Sequence, residues 1–217
     1  MFELQPCKNK WVWSLIFVRI PKNASTSVFN HLGNLNLIKK HEKAFEQLLK
    51  DKTYRGWFSP THAKPNEIYR ILGNMVKNYV SFAIVRNPYD RMVSMYHFAK
   101  KNNLAKLYGM QEEFTFQQFC EILFDKYIEQ DKTFIAIHPQ ADWLEGAFEP
   151  NFVLRFENLE KEFDNMLKQC NIKHVNPELP RENSSERGHY HDYFDFQSRK
   201  ITEKIFEKDF DLFKYNY

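Results

Sequence analysis

The chain has 217 residues, of which 43% are hydrophobic and 27% are charged. This length supports one substantial buried core, and we predict a single domain across residues 1–217. The 31 basic and 28 acidic residues leave a formal charge of +3, which is too small to indicate a nucleic-acid-binding surface. Any anion-binding site must therefore be local.

The cysteines and the hydropathy of the chain indicate the cellular compartment. Cys7, Cys120 and Cys170 are odd in number and far apart, so they form neither a disulfide framework nor a zinc pattern. The apolar run Trp11–Val18 is too short to cross a bilayer, and no secretory leader pattern is recognisable. We therefore expect a soluble, cytoplasmic protein with no integral membrane segment.

The first predicted unit is a strand, a loop and a helix. Trp11–Ile20 is an almost continuous run of apolar residues, which predicts a buried parallel strand. Pro21 ends this strand, and Ser25–Leu35 carries apolar residues at helical spacing. A loop between a strand and a helix is the geometry of a phosphate cradle.

A second unit repeats this order. Tyr79–Val85 is a clear buried strand. Asn87 then offers an N-cap, and Pro88 and Asp90 suit the first turn of a helix over Pro88–Lys100.

The remaining segments continue the alternation, which predicts an α/β fold with a mostly parallel sheet and a ligand beyond the carboxyl ends of the strands. We predict helices at His41–Lys50, from Pro65, at Thr115–Tyr127 with a Thr115/Gln118 capping box, at Pro139–Gly146, at Leu159–Cys170 and over most of His189–Tyr217, strands at Tyr54–His62 and Phe152–Phe156, and a loop at Asn171–Gly188.

The first segment with chemical character is Ile20–Ser27. It places Lys22 and three hydroxyls between a strand and a helix, where backbone N–H groups converge on one anion. It contains no glycine, so an ordinary ATP or GTP cradle is disfavoured. Taken alone, the segment also fits a Ser/Thr-rich helix cap beside a solvated lysine.

The second such segment follows the second strand. Arg86 lies at the carboxyl end of that strand, and Ser94 lies about two helical turns after Asn87 on nearly the same face. An arginine fork and a hydroxyl can close on one phosphate there. The alternative is that Arg86 caps the sheet and Ser94 only packs.

Together, IPKNASTS (20–27) and VRNPYDRMVSMYHF (85–98) resemble the two cofactor-binding motifs of the sulfotransferases that use 3′-phosphoadenosine-5′-phosphosulfate (PAPS). HPQADWL (138–144), VLRFENLEKEF (153–163) and ITEKIFEKDFDLFKY (201–215) resemble later blocks of the carbohydrate branch, sulfotransferase family 2, which includes heparan and chondroitin enzymes. The resemblance implies a P-loop-like nucleotide-binding core and transfer of a sulfuryl group to an acceptor hydroxyl.

The resemblance also implies roles for individual residues. Lys22 would stabilise the departing phosphate oxygen, and Arg86 and Ser94 would bind the 3′-phosphate. Phe156 matches an adenine-side aromatic residue, and Arg187 and Gly188 match a late basic loop over the 3′-phosphate. The 5′-phosphosulfate would be held by Lys22 and by the backbone of Asn23, Ala24, Ser25, Thr26 and Ser27.

One departure from the family pattern concerns the loop backbone. Asn23-Ala24 stands where many members have a glycine before the Ser-Thr pair. Because alanine does not easily adopt a positive φ, we expect the loop to close without a left-handed residue at Ala24.

Direct sulfuryl transfer requires a base for the acceptor proton. His62 lies between the two motifs and matches a histidine of related carbohydrate sulfotransferases, although a hydrogen-bonding role is the alternative. Other candidates are His41, Glu42 and Glu46. His138 could face the acceptor or order its own loop.

We predict no metal site. His189 and His191 lack a third ligand at suitable spacing, and no carboxylate cluster indicates obligatory magnesium. Besides a sulfotransferase, the open classes are a nucleotide-dependent kinase and a non-catalytic binder of adenosine 3′,5′-bisphosphate. The resemblance to the carbohydrate branch implies a sugar hydroxyl or a small molecule as acceptor, although relatives also sulfate lipids and tyrosines. The oligomeric state stays open.

Overall fold

The computed structural model describes residues 15–33, 62–131, 134–172, 179 and 188–217. Strands and helices alternate within these ranges, which confirms the predicted α/β fold. The elements are β1 (Leu15–Val18), α1 (Ser25–Gly33), α2 (Pro65–Leu72), β2 (Val80–Val85), α3 (Pro88–Lys101), α4 (Ala105–Tyr108), α5 (Phe116–Ile128), β3 (Phe152–Arg155), α6 (Leu159–Gln169), α7 (Phe196–Ile205) and α8 (Glu207–Phe213).

The three strands of the described chain form a parallel sheet in the order β1-β2-β3. Phe82 in β2 pairs with Phe17 of β1 on one side and with Phe152 of β3 on the other. All six residues of the central strand β2 are buried, as expected for a parallel strand covered on both faces. Since parallel strands point the same way, the segments that follow β1 and β3 leave the sheet at the same edge.

The contacts group the chain into two compact units. Unit 1 consists of the described residues of Met1–Val85 and Asp142–Asn183, and unit 2 of those of Arg86–Ala141 and Ser184–Tyr217. Each unit contains its own hydrophobic cluster. That residues 1–217 form a single domain stays a prediction.

The core of unit 1 lies between the sheet and helices α1 and α6. Alternate residues of β2 point into it, and the rings of Phe17 and Phe82 stack with their centres 4.5 Å apart. The buried members of this cluster are Leu15, Val28, Leu32, Val80, Phe82, Ile84, Phe152, Leu154, Phe163, Met166, Leu167 and Cys170.

The core of unit 2 is aromatic and lies between α3, α5 and α7. Tyr96 makes edge-to-face contacts with Phe114 and Phe116, at 5.7 and 5.5 Å between ring centres. The predicted starts of α3 and α5 are confirmed. Asn87 caps α3 by accepting from the Tyr89 amide, and the capping box before α5 is formed.

The prediction of a helix over Pro139–Gly146 is wrong. The structure has a short 3₁₀ turn at Gln140–Trp143 instead. The amides of Gln140 and Ala141 donate to the carboxylate of Asp209, each at 2.9 Å. The first amides of a helical turn have no partner within the turn, and Asp209 supplies one.

Two predicted elements between the motifs lie wholly or mostly outside the described residues. His41–Lys50 and residues 54–61 lie outside the described residues, and His62 belongs to a 3₁₀ turn rather than to a strand. Pro65 opens α2 at its first position, as predicted. Within the described ranges, no helix is long and apolar enough to cross a membrane.

Candidate functional site

The loop between β1 and α1 leads directly into the first turn of α1. Ala24 precedes the helix, and its carbonyl accepts from the amide of Val28 at 3.1 Å. Ser25 and Ser27 are buried, whereas Thr26 is exposed. The N–H groups of this first turn have no partner within the helix, and the helix dipole favours an anion beside them.

Two residues of this loop are left-handed. Lys22 has φ = 70° and Ala24 has φ = 55°. The expectation that the loop closes without a left-handed residue at Ala24 is therefore wrong. Left-handed and ordinary conformations alternate along residues 22–24, and such alternation turns successive amide groups into one anion-binding concavity. A left-handed alanine costs about 1–2 kcal/mol, so the loop stores strain at the candidate site.

Asn23 fixes this strained loop to the sheet. Its side chain is 1% exposed, and Nδ2 donates to the backbone carbonyl of Ile84 in β2 at 2.7 Å. A buried hydrogen bond to a central strand holds the loop between its two left-handed neighbours. The predicted role of Asn23 rested on its backbone alone, so this side-chain function is an addition.

His62 is held beside the same loop. Its Nδ1 lies 2.8 Å from the carbonyl oxygen of Arg19, which is the residue after β1 and precedes Lys22 by three positions. The indole Nε1 of the buried Trp143 donates to the carbonyl of His62 at 2.9 Å. The structure therefore brings His62 and the loop together within unit 1.

The surroundings of His62 contain a second lysine that the sequence did not single out. The Nζ of Lys64 lies 3.3 Å from the carboxylate of Asp142 and 4.7 Å from the ring centre of Trp143. Asp142 and Trp143 are the end of the HPQADWL segment. These two residues therefore support the turn that carries His62. They lie about 80 residues from His62 and Lys64 in the sequence, so residue spacing could not reveal the contacts.

Arg19 is a further cation at this end of β1. Its guanidinium stacks over the ring of Phe29 in α1 at 4.2 Å. Burial lowers the pKa of Arg19 to about 10, which still leaves the side chain charged at neutral pH. Lys22 is a second basic residue of the same loop.

In unit 2, Arg86 is buried and paired with Asp90. The carboxylate Oδ2 of Asp90 lies 2.7 Å from Nε and 2.6 Å from Nη2 of Arg86. Ser94 is half-buried and follows Asp90 by four residues in α3, so the two side chains lie on the same helix face. Asp90 thus contacts Arg86 and shares its helix face with Ser94. Asp90 was predicted only as a first-turn acid.

The looser sequence matches stay predictions, and the structure describes the positions of two of them. Phe156 follows β3 and packs, partly buried, against the core of unit 1. Gly188 is exposed, and its nearest neighbour on the Cβ side is the carboxylate of Asp192. The residues outside the described ranges are Arg187, His41, Glu42 and Glu46.

Three further histidines were considered as functional residues from the sequence. The backbone carbonyl of His138 accepts from Arg91 at 3.1 Å, and the role of its imidazole stays a prediction. His189 and His191 are exposed. Across the ranges that the structure describes, no group of three or more metal-ligating side chains occurs.

Comparison with known proteins identifies one family. A model of the sulfotransferase family, family 2, matches residues 12–216. No curated protein and no solved structure matched the chain. The match spans both units and includes the loop, His62, Arg86 and Ser94.

Proposed function

Because the chain belongs to the sulfotransferase family, we propose that it transfers a sulfuryl group from PAPS to an acceptor hydroxyl. One observation carries this proposal: the loop at 22–24 alternates in backbone handedness and leads into the N-terminus of α1 with a lysine beside it. Such a loop suits a doubly charged phosphosulfate. The chain lacks the Walker glycines of ATP- and GTP-binding loops.

In this proposal, different residues bind different groups of the donor PAPS. Lys22 and the amides of residues 23–27 bind the 5′-phosphosulfate, and Arg86 and Ser94 bind the 3′-phosphate. Phe156 contacts the adenine, and Arg187 with Gly188 closes over the 3′-phosphate. The position of Arg86 directly after β2 and that of Ser94 in α3 support the second assignment.

The reaction is an in-line displacement. PAPS supplies the sulfuryl group, whose sulfur exchanges the 5′-phosphate oxygen for the acceptor oxygen. His62 takes the acceptor proton on Nε2, because Nδ1 is committed to the Arg19 carbonyl. Lys22 stabilises the negative charge that develops on the departing phosphate oxygen. No step requires a metal ion.

For the acceptor, we propose a carbohydrate hydroxyl. The support is the resemblance of residues 138–144, 153–163 and 201–215 to the carbohydrate branch, together with the match to family 2. A small alcohol is the simpler acceptor against which the carbohydrate must be compared.

Binding and turnover are tested separately. Thermal unfolding should shift upward with adenosine 3′,5′-bisphosphate and far less with ATP and magnesium. Turnover is measured with radiolabelled PAPS against a panel of sugars and small alcohols, with and without excess EDTA. Equal stabilisation by both nucleotides would overturn the donor assignment. Binding without turnover on any acceptor would favour a non-catalytic binder instead.

A further inference from the structure

Gln140 makes a two-point contact with the backbone of Arg86. Its Oε1 accepts from the amide of Arg86 at 2.9 Å, and its Nε2 donates to the carbonyl of Arg86 at 2.8 Å. Gln140 is completely buried. A side-chain amide that binds both polar groups of one residue fixes that residue's backbone much as a neighbouring strand would.

A buried carboxylate in turn holds Gln140. Oδ2 of Asp209 in α8 accepts from the backbone amide of Gln140 at 2.9 Å and from its Nε2 at 3.1 Å, while Oδ1 accepts from the amide of Ala141. Nη1 of Arg91 lies 4.0 Å from Oδ2. Burying a carboxylate is costly, and these donors offset the cost. Asp209 and Arg91 are both completely buried.

Arg86 is therefore held at both ends. Gln140 fixes its backbone, and Asp90 binds Nε and Nη2 of its guanidinium. An arginine ordinarily loses much rotamer freedom when it binds a ligand, and this loss weakens binding. A pre-ordered arginine avoids most of that loss.

We infer that Gln140 and Asp209 are positioning residues that order Arg86 for the 3′-phosphate of the donor and so set the preference for nucleotides that carry this phosphate. The inference rests on the proposed function. A merely structural network would lower stability without changing the relative affinities of two ligands. A positioning network changes the ratio of affinities for ligands with and without a 3′-phosphate.

The test measures this ratio in the full chain by calorimetry, with adenosine 3′,5′-bisphosphate and adenosine 5′-monophosphate as ligands. Gln140→Met keeps the shape of the side chain but removes both contacts with Arg86. Asp209→Asn is the milder variant, which keeps one oxygen acceptor, and serves if Gln140→Met does not fold. Both should weaken the bisphosphate about tenfold and leave the monophosphate within about twofold.

Asn151→Ala is the matched control. Asn151 accepts from the amide and the hydroxyl of the buried Ser81, at 2.8 and 3.0 Å, in unit 1. Its loss should lower stability and leave the ratio unchanged. A wild-type ratio that persists in Gln140→Met and Asp209→Asn overturns the inference. A wild-type protein with no preference for the 3′-phosphate overturns the proposed function itself.

Discussion

The imidazole Nδ1 of His62 donates a hydrogen bond to the backbone carbonyl of Arg19, with 2.8 Å between the nitrogen and the oxygen. Because a carbonyl oxygen only accepts, Nδ1 must carry the hydrogen, and in the neutral ring the lone pair then lies on Nε2. A backbone acceptor on Nδ1 is the arrangement that orients a histidine as a base. Mutation of Arg19 would not remove this carbonyl.

The first prediction is that His62→Ala and His62→Gln lose turnover but not donor affinity. Without a base, turnover should fall roughly 10²–10⁴-fold, whereas the thermal shift by adenosine 3′,5′-bisphosphate stays near the wild-type value. The acidic limb of the rate profile should also vanish from the residual activity. His97→Ala, which removes a histidine bonded to Tyr193 at 2.8 Å, is the control and should keep its turnover. If His62→Ala stays active, Glu42, Glu46 and His41 are tested next.

The second prediction separates charge from backbone strain at Lys22. Lys22→Ala removes the ammonium and keeps an L-residue at φ = 70°, whereas Lys22→Gly removes the ammonium and relieves the strain. Both should lose roughly 10²–10³-fold in turnover together with some donor affinity. Steady-state kinetics and calorimetry check this. Recovery of activity in the glycine variant would assign the loss to the backbone rather than to the charge.

The third prediction concerns Ala24, whose φ of 55° favours glycine. Ala24→Gly should stabilise the folded protein by up to about 1 kcal/mol, because the relief of left-handed strain exceeds the added entropy of the unfolded chain. Ala147→Gly is the same change at an exposed residue with ordinary φ, and it should destabilise slightly. Urea unfolding of both variants measures the difference. Equal effects would mean that Ala24 is not strained.

The sequence predicted most of the fold, and its failures have identifiable causes. The apolar run before Ile20 and the Asn87-Pro88 start of α3 are local signals, and both elements formed where predicted. The 3₁₀ turn at Gln140 was missed because residue types over a few positions do not distinguish a short 3₁₀ turn from the start of an α-helix. The left-handed Ala24 was missed because residue propensities describe the average chain and not a loop that tertiary contacts hold in strain.

In the candidate site, too, local sequence patterns were informative and contacts between distant residues were not. The motifs located Lys22 and Arg86, since strand, loop and helix order follow from local patterns. They could not reveal that Trp143 donates a hydrogen bond to the carbonyl of His62, or that Asp90 forms an ion pair with the guanidinium of Arg86. Such contacts depend on side-chain directions, which no one-dimensional spacing specifies.

The fourth prediction tests the 3′-phosphate assignment directly. Arg86→Ala should weaken adenosine 3′,5′-bisphosphate by about 1.5–3 kcal/mol and scarcely affect adenosine 5′-monophosphate. Since the single change leaves Asp90 without its 2.6 Å partner, Arg86→Ala/Asp90→Ala is measured beside it. Arg70→Ala removes a positive charge from the exposed surface of α2 as a control. A uniform loss for both ligands would reassign Arg86 to a structural role.

The fifth prediction concerns the pH dependence of stability at the start of α7. Hydrogen bonds from the Ser198 hydroxyl and amide lower the pKa of Asp195. A pKa lower in the folded than in the unfolded state means that this stabilisation is complete above about pH 4 and is lost as the pH falls through the folded-state value. Asp195→Ala should cost about 1 kcal/mol at pH 7 and less at pH 3.

Asp195→Asn is the control for this measurement, because asparagine keeps a capping oxygen without the titrating charge. Chemical unfolding at pH 7 and pH 3 should show a smaller pH effect in the asparagine variant than in the wild type. The same pH effect in both proteins would mean that Asp195 does not contribute to it.

The sheet order has a consequence for synthesis of the chain. β2 pairs with β1, which precedes it, and with β3, which the ribosome makes only after residues 86–141 of unit 2. At about 5–20 residues per second, the VSFAIV strand therefore spends several seconds with one edge unpaired. An apolar strand with neither charge nor proline is prone to pair with a neighbouring chain during that interval. Slower initiation of translation, or a chaperone that binds the unpaired strand, should thus raise the yield of native protein. Either should help more than a mutation that stabilises the finished fold.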